Sequence, residues 1–184
     1  MVEPLRPAVF IDRDGTIMQD ADYCFDPQEV KVFSQVPEAL KRLKSKGFKL
    51  IVITNQSGIG RGFFSVDQYR AVEAEALRQL GTDLIDATYF CPHPPDQGCD
   101  CRKPSPGMIL KAAQEHRIDL TGSFLIGDKE SDAECGRKLG VRTIRVRSGS
   151  DRDTTRSIAD WVVEDVPAAV EIILNQQISA TATQ

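Results

Sequence analysis

Apolar residues in this chain gather into short runs, each closed by polar or turn-forming residues. The runs AVFI (8–11), KLIVI (49–53), ATYF (87–90), SFLIG (123–127) and RTIRV (142–146) predict buried strands, with DWVV (160–163) as a sixth. Between them the apolar spacing lengthens to that of a helix. In VPEALKRLKSKG (36–47), Val36, Ala39, Leu40 and Leu43 share one face, Pro37 suits a first turn and Gly47 a stop. SVDQYRAVEAEALRQLG (65–81) opens with Ser65 and Gln68 at capping-box spacing and closes at Gly81. SPGMILKAAQEH (105–116), ESDAECGRKLG (130–140) and DVPAAVEIILNQ (165–176) supply three further helices. Strand and helix in alternation predict an α/β, Rossmann-like fold: a largely parallel sheet with helices on both faces. We expect one domain over 1–177, with the polar ISATATQ (178–184) as a frayed tail.

Composition adds limits. A length of 184 residues, 41% of them hydrophobic and 27% charged, suits a single domain with a real core. A net charge of -4 argues against nucleic acid, whose binders present a basic face. The sequence contains neither a signal-peptide core nor a run able to span a bilayer, so a cytoplasmic monomer without membrane partners is expected. In a reducing compartment an odd count of five cysteines favours metal ligation or catalysis over a disulfide framework. Cys24 and Cys135 stand apart and read as small, inert core residues.

Open parallel sheets bind ligands beyond the carboxyl ends of their strands. Four such ends carry polar chemistry: DRDGT, TNQSG, a cysteine cluster followed by RKP, and GDKESD. Asp12 and Asp14, two residues apart, can present both carboxylates on one side with Arg13 pointing away, and Gly15 permits a sharp turn. An Asx turn capping the strand is the alternative. Asp128 brings a third carboxylate to the same edge, and gathered carboxylates repel unless a cation joins them; oxygen ligands suit Mg2+.

These strings, in this order and spacing, resemble the four motifs of the haloacid dehalogenase superfamily of phosphohydrolases, and the resemblance runs from about Val9 to Val163. It implies that Asp12 is the nucleophile of an aspartyl-phosphate mechanism and Asp14 the acid/base, which burial and a neighbouring anion would help to keep protonated. It implies too that Thr54 and Lys103 hold the phosphoryl oxygens. Asp12, the main-chain carbonyl of Asp14 and Asp128 would bind Mg2+, with Asp132 in support. Arg13, Asp20, Ala21, Asp22, Tyr23, Asn55, Gln56, Ser57, Arg102 and Lys129 would line the substrate pocket. IMQDADYCFDP (17–27) would be the only flap, since no helical cap is visible.

Within CPHPPDQGCDC, Cys91, His93, Cys99 and Cys101 form two short ligand pairs joined by a turn-rich link, enough for a closed Cys3His zinc site. The spacing is tighter than in most zinc fingers, and a thiol-rich surface loop is the alternative. A closed site would be structural. Because Cys101 precedes Arg102 and Lys103, a zinc-pinned loop would hold both over the active site. This loop narrows the resemblance to the zinc-loop group of heptose bisphosphate and histidinol-phosphate phosphatases. TNQSGIGRG, CDCRKPSPGM, VRSG and ADWV are more similar to the heptose enzymes, while the short link from His93 to Cys99 also suits the histidinol-phosphate enzymes. The expected substrate is a small sugar phosphate. A nucleic-acid 3′-phosphatase and a zinc-organised protein without catalysis are the more distant readings.

Overall fold

The computed structural model describes residues 4–181. Six strands form one sheet: β1 (Arg6–Ile11), β2 (Lys49–Asn55), β3 (Ala87–Cys91), β4 (Ile118–Gly127), β5 (Arg142–Val146) and β6 (Trp161–Val163). Their order is β3-β2-β1-β4-β5-β6, and each neighbouring pair is parallel. The chain therefore reverses its direction of growth between β1 and β4, the place where such sheets open a crevice.

Side-chain alternation sorts the core into two layers. Val9, Ile11, Leu50, Val52, Phe124, Ile126, Ile144 and Val146 point to one face, where α1 (Val36–Ser45), α6 (Val166–Thr181) and the end of α3 (Val66–Leu80) cover them. Ala8, Phe10, Ile51, Ile53 and Leu125 point to the other, beneath α4 (Gly107–His116) and α5 (Glu130–Arg137). Leu40 and Leu43 on α1 are fully buried, a burial that stabilises by about 1.5–3 kcal/mol per side chain. The capping box of α3 forms as the spacing predicts: Gln68 N donates to Ser65 Oγ at 3.2 Å, and Ser65 N to Gln68 Oε1 at 2.9 Å.

Three details depart from the sequence reading. β4 begins at Ile118, five residues before the apolar run, because the chain pairs with Arg6 and Pro7, swings out, and rejoins β1 at Phe124. Ser123 Oγ accepts the Ala8 N–H at 2.8 Å, replacing a ladder bond there. A short turn of helix, α2 (Ser57–Gly60), follows β2. The last helix continues to Thr181, since adding residues to a formed helix is cheap even where they are polar. Of the expected tail, residues 182–184 lie outside the described residues.

Between β1 and α1 the chain forms the flap instead of an inserted helical domain. Met18 bridges to Asp14 and Val32, and Met18, Cys24 and Val30 pack on Val72 and Ala76 of α3. The flap's root is thus anchored in its own small apolar cluster.

Candidate active site

The carboxyl ends of β1, β2 and β4 meet at a buried charge cluster. Asp12 N–H continues the ladder to Ile126 O at 2.9 Å, which fixes where its side chain begins. Lys103 Nζ lies 2.7 Å from Asp12 Oδ1, 2.7 Å from Asp132 Oδ1 and 2.8 Å from Ile53 O. Burial by itself would push the Lys103 ammonium down, but the charges of Asp12 and Asp132 outweigh it and hold its pKa above the ordinary lysine value. Asp128 lacks such a partner. Both its oxygens are buried without a hydrogen bond among the described residues. Burial first, then the neighbouring charge of Asp12, push its carboxyl up to about 8.

A divalent cation fits this arrangement. Asp12, Asp128 and Asp132 each offer an oxygen, and the three lie within 4.8 Å of one another. Asp132 is otherwise committed, with Oδ1 on Lys103 and Oδ2 accepting the Lys129 N–H at 3.1 Å. Two glycines make room for Asp128. A Cβ on Gly15, at φ +79°, would stand 2.5 Å from Asp128 Oδ2, and one on Gly149 2.0 Å from it.

Arg13 corrects an expectation. It curls back instead of pointing away, its Nε 3.1 Å from Asp14 Oδ2 and its NH2 nitrogen 3.1 Å from Oδ1, while its guanidinium lies over the Tyr69 ring. The neighbour of Asp14 is therefore a cation, where an anion was expected. Arg13 is buried, and Asp14 is the acidic side chain it meets. Gln56 Nε2 donates 2.8 Å bonds to Asp14 Oδ2 and Thr54 Oγ1, joining the three side chains.

Asn55 also makes a contact that the sequence did not suggest. Its Nδ2 donates to Lys103 O and its Oδ1 accepts from Lys103 N, both at 3.0 Å, so it clamps the main chain that delivers the lysine. The loop before Lys103 gathers Cys91, His93, Cys99 and Cys101, whose ligand atoms lie within 4.8 Å of one another. Cys91 Sγ is 3.6 Å from Cys99 Sγ and 3.5 Å from His93 Nδ1; Cys101 Sγ is 3.5 Å from Cys99 Sγ. A tetrahedral zinc with ~2.3 Å bonds to sulfur separates its sulfurs by roughly 3.7 Å; three thiols and an imidazole are a donor set for that ion, two of the sulfur pairs stand near that spacing, and Cys91 and Cys101, 2.9 Å apart, would move apart to take it. No disulfide joins these cysteines. Arg102 leans on the same loop, with NH1 donating to His93 O at 3.2 Å.

A cavity of about 420 Å³ opens over the cluster, and every expected substrate-contact residue lines it except Ala21. Ala21 is exposed and lies outside the cavity lining. Cys24, Pro104 and Ser131 line the cavity without having been anticipated. Lys129 Nζ stands 3.8 Å from Asp20 Oδ2 across its mouth. Arg145 was missed as well. Buried beside the site, it donates to Asp128 O at 3.1 Å and pairs with Glu130 and Asp151 at 2.7 Å each. A charged residue inside the apolar run RTIRV was the available signal.

Residues 100–169 match the family model described as HAD-hydrolase-like. The chain is 40% identical over 181 residues to the D-glycero-beta-D-manno-heptose-1,7-bisphosphate 7-phosphatase of Photorhabdus laumondii, covering 90% of this chain and 95% of the relative. It is 43% identical over 139 residues to the Helicobacter pylori enzyme of the same name, covering 73% and 79%. The crystal structure of the D,D-heptose 1,7-bisphosphate phosphatase from B. bronchiseptica, complexed with magnesium and phosphate, superposes with a TM-score of 0.82 at 32% identity, covering 92% of this chain and 99% of that one. Among the described residues no helix is long and apolar enough to cross a membrane. With its parallel sheet, its charge cluster at the strand ends and these relatives together, the chain belongs to the HAD-like phosphatases, in the family of the heptose bisphosphate phosphatases.

Proposed function

We propose that the protein is a Mg2+-dependent phosphatase that removes the C7 phosphate of D-glycero-D-manno-heptose 1,7-bisphosphate in the cytoplasm, with a structural Zn2+ in the loop after β3. The observation that carries this reading is Lys103, buried between Asp12 and Asp132 beside the unpartnered Asp128. A carboxylate attacking a phosphate dianion meets charge repulsion, so the attacking group needs positive charge within reach. Lys103 supplies one charge at 2.7 Å from Asp12. Asp12, Asp128 and the main-chain carbonyl of Asp14 would hold Mg2+, with Asp132 in support; bound there, the cation supplies the remaining positive charge at the phosphoryl oxygens. Cys91, His93, Cys99 and Cys101 would hold Zn2+.

In the first step the Asp12 carboxylate bonds to phosphorus as the bond to the sugar oxygen breaks, and Asp14 gives that oxygen its proton. Asp14 then takes a proton from water, which attacks the same phosphorus; phosphate leaves and Asp12 is regenerated. Gln56 and Arg13 orient Asp14 for both transfers. Thr54 and Lys103 bind the phosphoryl oxygens, while Lys129, Arg102 and the flap meet the rest of the substrate.

Phosphate release from both anomers of the heptose bisphosphate, from histidinol phosphate and from fructose 1,6-bisphosphate tests the assignment. We expect the largest kcat/KM for a heptose anomer, and none of the four to be turned over by a folded Asp12→Asn variant. Preference for histidinol phosphate would overturn the substrate; turnover by Asp12→Asn would overturn the mechanism.

A further inference from the structure

The flap crosses the mouth of the cavity and is fastened differently at its two sides. Its root is held by Gly15 N to Met18 O at 2.8 Å and Gln19 N to Lys31 O at 3.0 Å. Its tip holds two consecutive non-glycine residues in the left-handed region, Asp22 at φ 40° and Tyr23 at φ 67°. That conformation costs free energy and persists where neighbouring contacts enforce it. On one bank the contacts are polar and loose: Asp20 Oδ2 is 3.8 Å from Lys129 Nζ and 3.4 Å from Ser150 Oγ. On the other bank Tyr23 stands edge-on to Phe63, with ring centroids 4.9 Å apart and planes at 88°.

Phe63 follows α2, is 56% exposed and does not line the cavity. Burial gives no account of so large an apolar side chain in solvent; contact with Tyr23 does. The turn beneath is shaped for this contact. Phe63 N donates to Gly58 O at 2.9 Å, and a Cβ on Gly58 would stand 2.8 Å from Tyr23 Cδ1 and 2.2 Å from Phe64 Cε1. The two fastenings also respond differently to substrate. An anionic ester competes with Asp20 for Lys129, whereas a contact between two uncharged rings is indifferent to it.

We infer that Phe63 determines specificity as a positioning residue: through Tyr23 it keeps the flap seated over the cavity when Asp20 gives up Lys129 to the substrate. The cavity wall formed by Tyr23 then stays in place for the body of a sugar phosphate. This rests on the reading of the flap as a substrate wall. A small aryl phosphate, reaching only the charge cluster, gains nothing from that wall.

The test uses Phe63→Ala and Phe63→Tyr, with heptose 1,7-bisphosphate and p-nitrophenyl phosphate as substrates and hydrogen–deuterium exchange over residues 19–25 without substrate. An edge-to-face pair is worth roughly a two- to ten-fold shift in an equilibrium. Phe63→Ala should raise KM for the bisphosphate by about that factor, leave kcat and aryl phosphate turnover near wild type, and speed flap exchange similarly; Phe63→Tyr should restore both KM and flap exchange. Unchanged flap exchange, or equal losses on both substrates, would overturn the inference. Failure of the wild type to hydrolyse the heptose bisphosphate would overturn the substrate assignment, and the exchange measurement would still decide the role of Phe63.

Discussion

Replacing Asn55 with alanine separates a pocket wall from a clamp. The amide makes two 3.0 Å hydrogen bonds to the main chain of Lys103, and each such bond contributes about 0.5–1.5 kcal/mol net. Losing both should therefore cost about 1–3 kcal/mol. In a chain of this size that lowers Tm by about 2–4 °C per kcal/mol. The lysine itself should not be set free, because Nζ keeps its contacts with Asp12, Asp132 and Ile53 O. Its delivery to the phosphoryl group should shift, and misplacing a catalytic group by about 1 Å costs on the order of 100-fold in rate. Asn55→Ala should thus lower kcat by roughly 10- to 100-fold and leave KM within about three-fold. Steady-state kinetics beside thermal unfolding of the same preparation make the check. A ten-fold rise in KM with kcat intact would show that the amide touches substrate, and would refute the clamp.

Cys101→Ser should remove the zinc and lower Tm, but because Lys103 has anchors of its own, the kinetic loss should fall mainly on KM, through Arg102. Elemental analysis should find about one zinc per wild-type chain, and a fall in kcat matching the loss of Asn55 would contradict the separation. Asp86 offers a pH test away from the site: burial opposes its charge, yet Lys44 and the Leu50 N–H, each at 2.8 Å, together with Lys49 hold its carboxyl below the ordinary value. Being depressed, it contributes stability above the unfolded carboxylate pKa and loses it as pH falls through the lower folded value. Urea unfolding should show Asp86→Asn less stable by about 1 kcal/mol at neutral pH, small because solvent screens the lysines, with the difference vanishing in strong acid. A difference that persists there would count against the charge argument.

The sheet was legible because apolar runs of strand length alternate with amphipathic helices, and the strand ends carried their motifs in plain order. Asp12, Asp14, Thr54, Lys103 and Asp128 do converge, as do Cys91, Cys99 and Cys101 with His93. What sequence did not convey was the choice of partner. Arg13 beside Asp14 reads as a residue facing the opposite way, yet its long side chain returns the guanidinium to the Asp14 carboxyl group. Asn55, a polar residue at a strand end, could face ligand or main chain; its partner lies 48 residues away on a loop. Arg145 was hidden for the same reason, since its partners include a carbonyl and a carboxylate on two other segments.

The loop of Cys91, His93, Cys99 and Cys101 springs from β3, an edge strand, and reaches the nucleophile only by crossing β2. Its outermost stretch, residues 95–98, is exposed, while its two ends are fixed by the cysteine and histidine cluster and by the clamp on Lys103. Extra residues at that bend would enlarge a surface excursion without lengthening the path to the lysine. The length of that bend can therefore change, or one bend be grafted for another, while the hydrolytic machinery is left unaltered.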